Sequence, residues 1–424
     1  MTESNTEMQP YLRFSLAERD RRWKAVREKM AKEGLDALVA PPNLGNSTDW
    51  QADARYLSHC GGGADASIGV VFPLEGDVTV VATSAKDRWG PKIQNWVTDV
   101  REVNRRYGQG MAERLLELGL DRGRIGVSGL GFGTRTPEGT IFHGTYEALR
   151  EKLPNAEFVP ASDLLQDVRQ VKSQEEIDVL QRSLDLVERG LEAQAYWAQP
   201  GVPDYVVWAE TMHAMFVRGS ELSVHFNWIS GHNPGRTLTR PTMRPLEKGD
   251  MILKEIESSI IGYRAQQLRP LAVHECDPMI MELSKMHAEL YDEILDFLKP
   301  GVTIGQVVEK TRELGSEVAP QRGPLAGATA RMTLHGRGLG DDHPLVLDGG
   351  SRESIYEGTQ RAWEAQFPEN GVYICKPGIH TADGRYHFEW GDTVRTTPKG
   401  AVRMGKSPHG IIISEPREVH WPQD

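Results

Sequence analysis

Hydrophobic residues recur at helical spacing near the start of the chain, where Trp23, Val26 and Met30 follow a potential cap at Ser15. This pattern predicts an amphipathic helix over residues 14–34. Short β-branched runs separated by glycine or proline predict strands at "LDALVA", "SIGVVFP", "DVTVVAT" and "RIGVSG", with a further helix at residues 110–120. Because strands alternate with helices, the first part of the chain is predicted to be an α/β domain.

The pattern changes near residue 170. Ser173 and Glu176 have the spacing of a capping box, and an apolar stripe from Ile177 to Leu191 predicts a long helix after them. We therefore divide the chain into residues 1–170 and residues 171–424. The second part has an α+β pattern, with helices predicted at residues 205–218 and 278–298 and strands predicted at residues 250–259, 371–376 and 384–395.

Two carboxylates interrupt the predicted strand at residues 250–259. Glu255 and Glu257 are two residues apart, so on an extended strand they point to the same face, while Ile256 points to the other. Gln266 and a second glutamine follow in the next apolar run. Charged side chains are rarely buried in a core without a partner, so this stretch is a candidate functional site.

The composition is that of a soluble globular protein, with 424 residues of which 39% are hydrophobic and 26% are charged. No run approaches the ~18 apolar residues of a membrane span, and the N-terminus lacks the pattern of a signal peptide, so we expect a cytoplasmic protein that does not bind membranes. Cys60, Cys276 and Cys375 are widely separated and fit a reducing compartment. A net charge of −11 without a basic run argues against nucleic acid as a partner and favours a small-molecule substrate.

Seven segments of the chain occur in an informative order: "VRQVKSQEEIDVLQRS", "ISGHNPGRTLTRPTMRPLEKGDMIL", "IIGYRAQQLRPL", "FLKPGVTIGQVV", "LHGRGLGDDHPLV", "ENGVYICKPGIHTADGRYHFEWGDTVRTTPKG" and "SEPREV". Together they resemble the creatinase/aminopeptidase P superfamily, also called M24, over nearly the whole chain. The resemblance implies an α/β N-terminal domain followed by an α+β catalytic domain with the pita-bread fold. It also implies a homodimer in which the first domain of one subunit completes the site of the other.

The metallopeptidases of this superfamily bind two divalent ions through two aspartates, one histidine and two glutamates, which suit such ions. The corresponding positions here hold Glu255, Gln266, His335, Lys376 and Gly391. A lysine ammonium repels a cation and glycine offers no ligand, so we expect neither a metal nor another cofactor.

Creatinase is the precedent within the superfamily, because it hydrolyses a guanidino C–N bond without a metal. This chain departs from creatinase as well. Leu238 stands at the position of the substrate-facing histidine, and Leu268 and Lys376 stand at the positions of the catalytic glutamates. The resemblance therefore implies metal-independent hydrolysis of a C–N bond, as in creatinase, without implying the creatinase substrate.

Four residues are candidates for catalysis. His335 would act as a proton shuttle, because an imidazole exchanges protons near neutral pH. Glu255 or Glu257 would be the general base, since two nearby carboxylates push their pKa values apart. Lys376 would replace the metal charge, either by anchoring a carboxylate or as an acid or base with a depressed pKa. The alternatives are a structural role for His335 and structural ion pairs of the glutamates with Lys376, Lys254 or Arg264.

Candidates for substrate contact in the second domain are His232, Gln266, Arg337, His343 and Glu389. Glu389 lies two positions before Gly391, so the same-face rule for a continuous strand would aim it at the former metal site. In the first domain, Trp50, Arg55 and Tyr56 lie in a polar, glycine-rich segment and would contact substrate across the dimer interface. Exposed loop or turn positions are the alternative for both groups.

These residues support several hypotheses about function. The first is a metal-independent, creatinase-like hydrolase that cleaves an amide, amidine or guanidino C–N bond in a small polar substrate, with Lys376 also stabilising developing negative charge. The second is a lyase in which the same groups abstract a carbon-bound proton. The third is a pita-bread binding protein without catalysis, and the fourth is a remodelled single-metal site.

Overall fold

A computed structural model describes residues 12–42, 51–61, 67–83, 93–131, 136, 138–222, 226–235, 239–349 and 363–422. The chain divides into two compact units, Met1–Val168 and Arg169–Asp424. No helix in these described ranges is long and apolar enough to cross a membrane.

The described part of the first unit contains α1 (Leu16–Glu33), β1 (Ala37–Ala40), α2 (Ala52–Ser58), β2 (Ile68–Pro73), β3 (Thr79–Ala82), β4 (Asp99–Glu102), α3 (Tyr107–Glu117), β5 (Arg124–Val127), α4 (His143–Lys152) and β6 (Glu157–Pro160). A further helix, α5 (Ser162–Gln170), spans the division between the units. The predicted first helix is confirmed: Ser15 accepts a hydrogen bond from the backbone N–H of Glu18, and Gly34 ends the helix in the left-handed region at φ 65°.

The strands of the first unit form one mixed sheet in the order β4-β3-β2-β1-β5-β6. β1 pairs in parallel with β5 and antiparallel with β2. Apolar residues of the sheet such as Val39, Val81 and Ile125 pack in one core with Met111 of α3 and Leu149 of α4. The prediction of an α/β domain is confirmed, because helices cover strands that include parallel neighbours.

The described part of the second unit contains α6 (Gln174–Trp197), α7 (Asp204–Phe216), β7 (Phe226–Gly231), β8 (Met251–Ile260), β9 (Tyr263–Leu268), β10 (Leu271–Ala272), α8 (Pro278–Phe297), α9 (Ile304–Val318), β11 (Thr329–Gly336), β12 (Leu345–Gly349), β13 (Val372–Cys375), β14 (Gly378–His380), β15 (His387–Glu389), β16 (Gly391–Thr397), β17 (Gly400–Arg403) and β18 (Ile412–Ile413). The capping box at the start of α6 is present, with Ser173 and Glu176 bonded reciprocally.

These strands belong to one twelve-stranded sheet, whose main path runs β15-β14-β11-β13-β16-β9-β8-β10-β18, with β12 paired to β11, β17 to β16 and β7 to β8. One predicted strand is wrong in extent. Residues 384–395 contain two strands, because β15 ends at Glu389 and pairs with β14, whereas β16 begins at Gly391 and pairs with β13 and β9.

The two faces of this sheet have different environments. The inner face is the face of the sheet that carries Glu255, Glu257, Gln266, Leu268, His335, Gly391 and Thr393. The outer face is the opposite one. Helices pack on the outer face: Ser183 of α6 bonds to Ser258, and the core of α8 and α9 includes Leu334 and Val394. The α+β prediction for this unit is confirmed, and the inner face carries a group of polar side chains next to apolar ones such as Leu268.

Candidate functional site

Cross-strand register brings distant residues side by side on the inner face. His335 pairs with Ile374, and Ile374 pairs with Thr393. The hydroxyl of Thr393 bonds to the backbone of Gln266, which is itself paired with Glu257. Directly paired residues in an antiparallel sheet share a face, so these five residues form one transverse row.

A second row lies two residues along the strands. Gly391 pairs with Leu268, Leu268 pairs with Glu255, and Glu255 pairs with Asn227. Lys376 directly follows β13 and lies against Gly391. This register explains why positions separated by more than a hundred residues in the chain form one site.

Glu255 is held by two partners in the second row. One oxygen of its carboxylate accepts from the ammonium of Lys376, and the other accepts from the amide of Asn227 at 2.8 Å. Glu255 is 9% exposed and Lys376 is 4% exposed. Lys376 therefore points inward, and the ion pair between the two residues that was considered from the sequence is present.

Glu257 belongs to a deeper and fully buried network. Its carboxylate accepts from the guanidinium of Arg337, which also donates to Asp341 at 2.6 Å. Arg264 lies 4.0 Å from Glu257 and 3.9 Å from Asp341. Nδ1 of His335 lies 3.8 Å from the same carboxylate of Asp341. The alternative of an exposed loop for Arg337 is therefore wrong.

The turn that carries Lys376 is fixed from both sides. The backbone N–H of Lys376 donates to the carbonyl of Thr333. On the other side, the Tyr291 hydroxyl donates to the carbonyl of Cys375 at 3.2 Å, and His287 Nε2 donates to the carbonyl of Pro377 at 2.8 Å. Tyr291 and His287 are four residues apart on α8, so they lie on the same side of the helix. One helix face thus clamps the carbonyls on both sides of the lysine.

His287 makes a second bond that determines its tautomer. Since a carbonyl only accepts, Nε2 carries the proton and Nδ1 accepts from His409 Nε2 at 2.9 Å. Burial lowers the pKa of His287 to about 4. Burial, followed by the charges of His287 and of neighbouring arginines, lowers the pKa of His409 to about 3. Both rings are therefore neutral at physiological pH.

The outer face has its own charged groups. Arg269 and Arg403 donate to Asp392, whose pKa is raised by burial against the lowering effect of these arginines. Lys254 is fully buried, and burial together with the charge of Arg269 lowers its pKa well below the usual value. Lys254 is therefore not the partner of Glu255 or Glu257 that we considered, because strand alternation points it to the opposite face. Arg269 acts as a scaffold for Asp392.

Three other candidates from the sequence are not among the residues of the two rows on the inner face. The His232 side chain is 79% exposed and lies 3.9 Å from Asp250, so the structure does not place it on the inner face. His343 is half-buried, and its carbonyl accepts from Gln170 at 3.3 Å. Glu389 pairs with Gly378 on β14. The expectation that Glu389 shares a strand face with Gly391 is wrong, because β15 stops before Trp390.

The first-domain candidates have mixed outcomes. Trp50 lies outside the described residues, as does Leu238 of the second domain. Tyr56 is fully buried, with the guanidinium of Arg22 4.4 Å from its ring centroid. The structure therefore corrects the expectation that Tyr56 contacts substrate, because it is a core residue of the first unit. Arg55 is half-buried on α2.

Sequence reasoning did not single out two contributors to the inner face. Asn227 bonds Glu255, and Thr393 links the strand of Gln266 to that of Ile374. Neither residue type carries a strong catalytic signal by itself. Only the pairing of β7 with β8 and the position of Thr393 two residues after Gly391 could have indicated them.

The inner face does not fit the dinuclear metal centre that the superfamily implies. Of the five corresponding positions, Gln266 is a weak neutral ligand, Gly391 has no side chain, and Lys376 brings an ammonium to within ion-pair distance of Glu255. Across the described ranges no group of three or more histidine, cysteine, aspartate or glutamate side chains is arranged to hold a metal ion. The five positions therefore offer few metal ligands, and one of them carries an ammonium group.

The fold and the inner face define a pita-bread protein in which the usual ligand positions carry an ion pair. Residues 178–398 match the metallopeptidase family M24, and residues 22–171 match the creatinase/prolidase N-terminal domain. Since the first match covers more than half of the chain, the protein belongs to metallopeptidase family M24.

Known proteins resemble this chain over most of their length. A creatinase from a Bacillus species is 27% identical over 72% of this chain and 72% of its own. A Xaa-Pro dipeptidase from Pyrococcus furiosus is 23% identical over 65% of this chain and 74% of its own. The crystal structure of an X-Pro aminopeptidase from Thermotoga maritima superposes with a TM-score of 0.73 at 18% identity, covering 92% of this chain and 99% of that one.

Proposed function

We propose that this protein is a metal-independent hydrolase that cleaves a C–N bond in a small polar substrate. The observation that carries the proposal is the ion pair between Lys376 and Glu255, because it puts a lysine side chain at a ligand position of the metallopeptidases. The similarity to proteins named creatinase and Xaa-Pro dipeptidase supports hydrolysis of a C–N bond.

Glu255 is the better candidate for the general base. It is 9% exposed, whereas Glu257 is fully buried and engaged by Arg337. Lys376 and Asn227 hold the two oxygens of the Glu255 carboxylate and so orient it, which is what proton abstraction from a bound water requires. Glu257 is better suited to holding Arg337 and the deep end of the site.

The reaction then follows from three groups. Glu255 takes a proton from water as the water oxygen bonds to the carbon of the scissile C–N bond. Negative charge develops on the heteroatom of the tetrahedral intermediate, where the Lys376 ammonium stabilises it. His335 delivers a proton to the leaving nitrogen as the C–N bond breaks. Nδ1 of its ring bonds to the carbonyl of Gly336 at 3.3 Å, and the carboxylate of Asp341 lies 3.8 Å from the same nitrogen.

The test is turnover of a panel of Xaa-Pro dipeptides, creatine, primary amides and ureido acids after exhaustive chelation, with elemental analysis of the same sample. We expect hydrolysis of at least one class without stoichiometric metal, incorporation of oxygen from labelled water, and losses of about a hundredfold or more for Glu255→Gln and His335→Asn. His213→Asn, at an exposed position on α7, is the control and should keep full activity. A stoichiometric metal that restores lost turnover would refute the proposal.

A binding protein without catalysis is the second candidate. The observation that favours it is the mutual pairing of Glu257, Arg337 and Asp341, which are almost completely buried and resemble a structural ion network. It predicts ligand binding without turnover across the whole panel. A lyase would release product without oxygen from labelled water.

A further inference from the structure

The amide of Gln266 is the least satisfied polar group of the inner face. Gln266 is fully buried, and neither its Oε1 nor its Nε2 has a hydrogen-bond partner among the described residues. Its backbone is satisfied, since Thr393 bonds both its N–H and its carbonyl. Leaving a buried donor and a buried acceptor unpaired is unfavourable, so a group that pairs with both amide atoms at the inner face would be stabilised there.

The position of Gln266 points to the deep end of a bound substrate. Exposure falls from 9% at Glu255 and 4% at Lys376 in the second row to 0% at Gln266 and Glu257 in the first row. Gln266 therefore lies deeper on the inner face than Glu255, on the side to which a substrate held at Glu255 would extend its innermost group. That group must present both a donor and an acceptor.

The charges around Gln266 are already balanced. Glu255, Glu257 and Asp341 are paired with the cations of Lys376, Arg337 and Arg264. Beside them, Asp342 is paired with both Arg169 and Lys172. Within the described ranges these ion pairs match three carboxylates with three cations, and the neighbouring trio adds a positive charge. A guanidinium or amidinium group would therefore be desolvated beside carboxylates that are already paired.

We propose that Gln266 recognises a neutral carboxamide or ureido group of the substrate through two parallel hydrogen bonds. The carbonyl of such a group accepts from Nε2 of Gln266, and its adjacent N–H donates to Oε1. This inference rests on the proposed function and narrows it to neutral amide-type C–N bonds in preference to amidine and guanidino bonds. A guanidino group presents only donors, so it would leave Nε2 of Gln266 facing another donor.

A matched pair of probes separates the two classes. N-carbamoylglycine and guanidinoacetate share one skeleton and differ in carrying C=O or C=NH2⁺, and calorimetry measures the affinity of each for the full-length protein. We expect the protein to bind N-carbamoylglycine about tenfold or more tightly than guanidinoacetate, because only the ureido group satisfies both amide atoms. Equal affinity, tighter binding of guanidinoacetate or no binding of N-carbamoylglycine would overturn the inference.

Two variants of Gln266 make the assignment specific to this side chain. Gln266→Glu replaces the donor by a second acceptor and adds negative charge, so the preference should shift toward guanidinoacetate. Gln266→Met keeps the length and removes both hydrogen bonds, so the two affinities should come within about threefold of each other. Thermal melting confirms that each variant is folded, and an unchanged ureido preference in a folded variant would count against the role of Gln266.

Gln194 supplies the matched control. It is also fully buried with neither amide atom paired among the described residues, but it lies on α6, which packs against the outer face. Gln194→Glu therefore imposes the same substitution in a similar environment away from the inner face. It should leave the ratio of the two affinities unchanged, and a reversal there would show that the effect is not local to Gln266.

Binding and turnover can fail independently. A ureido preference that is lost in the Gln266 variants supports the inference even if none of the panel substrates is hydrolysed. Conversely, metal-independent hydrolysis of creatine or another guanidino compound, without a ureido preference, would support the proposed function and overturn this inference.

Discussion

Gly391 and Lys376 are in direct contact, and a β-carbon built on Gly391 would overlap the β-carbon of Lys376 and come within 2.8 Å of the carbonyl oxygen of Cys375. The overlapping atoms are backbone and Cβ atoms of residues 375 and 376. A side chain at position 391 therefore requires this turn to shift, whichever side chain stands at position 376.

This contact predicts the effect of a single methyl group. Gly391→Ala should destabilise the protein by about 1–3 kcal/mol, because the neighbouring atoms are backbone and Cβ atoms that cannot rotate away. Urea unfolding followed by circular dichroism measures the change. Gly235→Ala is the control, since a β-carbon there meets no atom of the described residues within 4 Å, and it should shift the midpoint little. Equal midpoints for both variants would contradict the overlap.

The ion pair of Lys376 with Glu255 should appear as energetic coupling. Among the residues that the structure describes, Lys376→Met leaves Glu255 with Asn227 as its hydrogen-bond partner and should cost about 3–5 kcal/mol with the carboxylate charged. Combining it with Glu255→Gln removes the stranded charge, so the double variant should be clearly more stable than the sum of the single changes predicts. A double-mutant cycle from denaturant unfolding measures this difference. Additive effects would mean that the two residues do not interact in solution.

The buried His287 should make stability depend on pH. Burial lowers its folded-state pKa from 6.5 to about 4, so between these values the unfolded chain binds a proton that the folded protein does not. Stability from this group is complete above about pH 6.5 and is lost as the pH falls toward 4, by up to about 1.4 kcal/mol per pH unit.

The variant that isolates this effect is His287→Gln, which keeps a donor for the carbonyl of Pro377 but does not titrate. The slope of unfolding free energy between pH 6.5 and pH 4 should be shallower in this variant than in the wild type. Tyr291→Phe is the control, because it removes the bond to Cys375 without removing a group that titrates in this range. It should lower stability while the slope stays as in the wild type.

Added divalent ions should not stabilise the protein. A ligand at a hundred times its dissociation constant raises the unfolding free energy by about 2.7 kcal/mol, so tight binding of Mn²⁺, Co²⁺ or Zn²⁺ would raise the melting temperature visibly. Because Lys376 and Gly391 stand at two of the five ligand positions, we expect no increase at millimolar metal. Lys376→Glu serves as a comparison. If metal raised the melting temperature of the wild type as much as that of this variant, the expectation that these positions bind metal poorly would be contradicted.

Much of the local structure could be predicted from the sequence because its causes are local. The cap at Ser15, the capping box at Ser173 and Glu176, and the alternation that puts Glu255 and Glu257 on one face depend on residues within a few positions of one another. The break at Trp390 was missed, because nothing in the local pattern shows that β15 and β16 pair with different strands.

The ordered segments "IIGYRAQQLRPL", "LHGRGLGDDHPLV" and "ENGVYICKPGIH" determined the family, and with it the positions at which metal ligands are replaced. Only the tertiary structure decided which charges meet. Arg337 reaches Glu257 from 80 positions away and Lys376 reaches Glu255 from 121 positions away, since the register of antiparallel strands brings them together. Pairings of this kind depend on sheet order and strand alternation, which are set by packing of the whole unit and are not encoded near either residue.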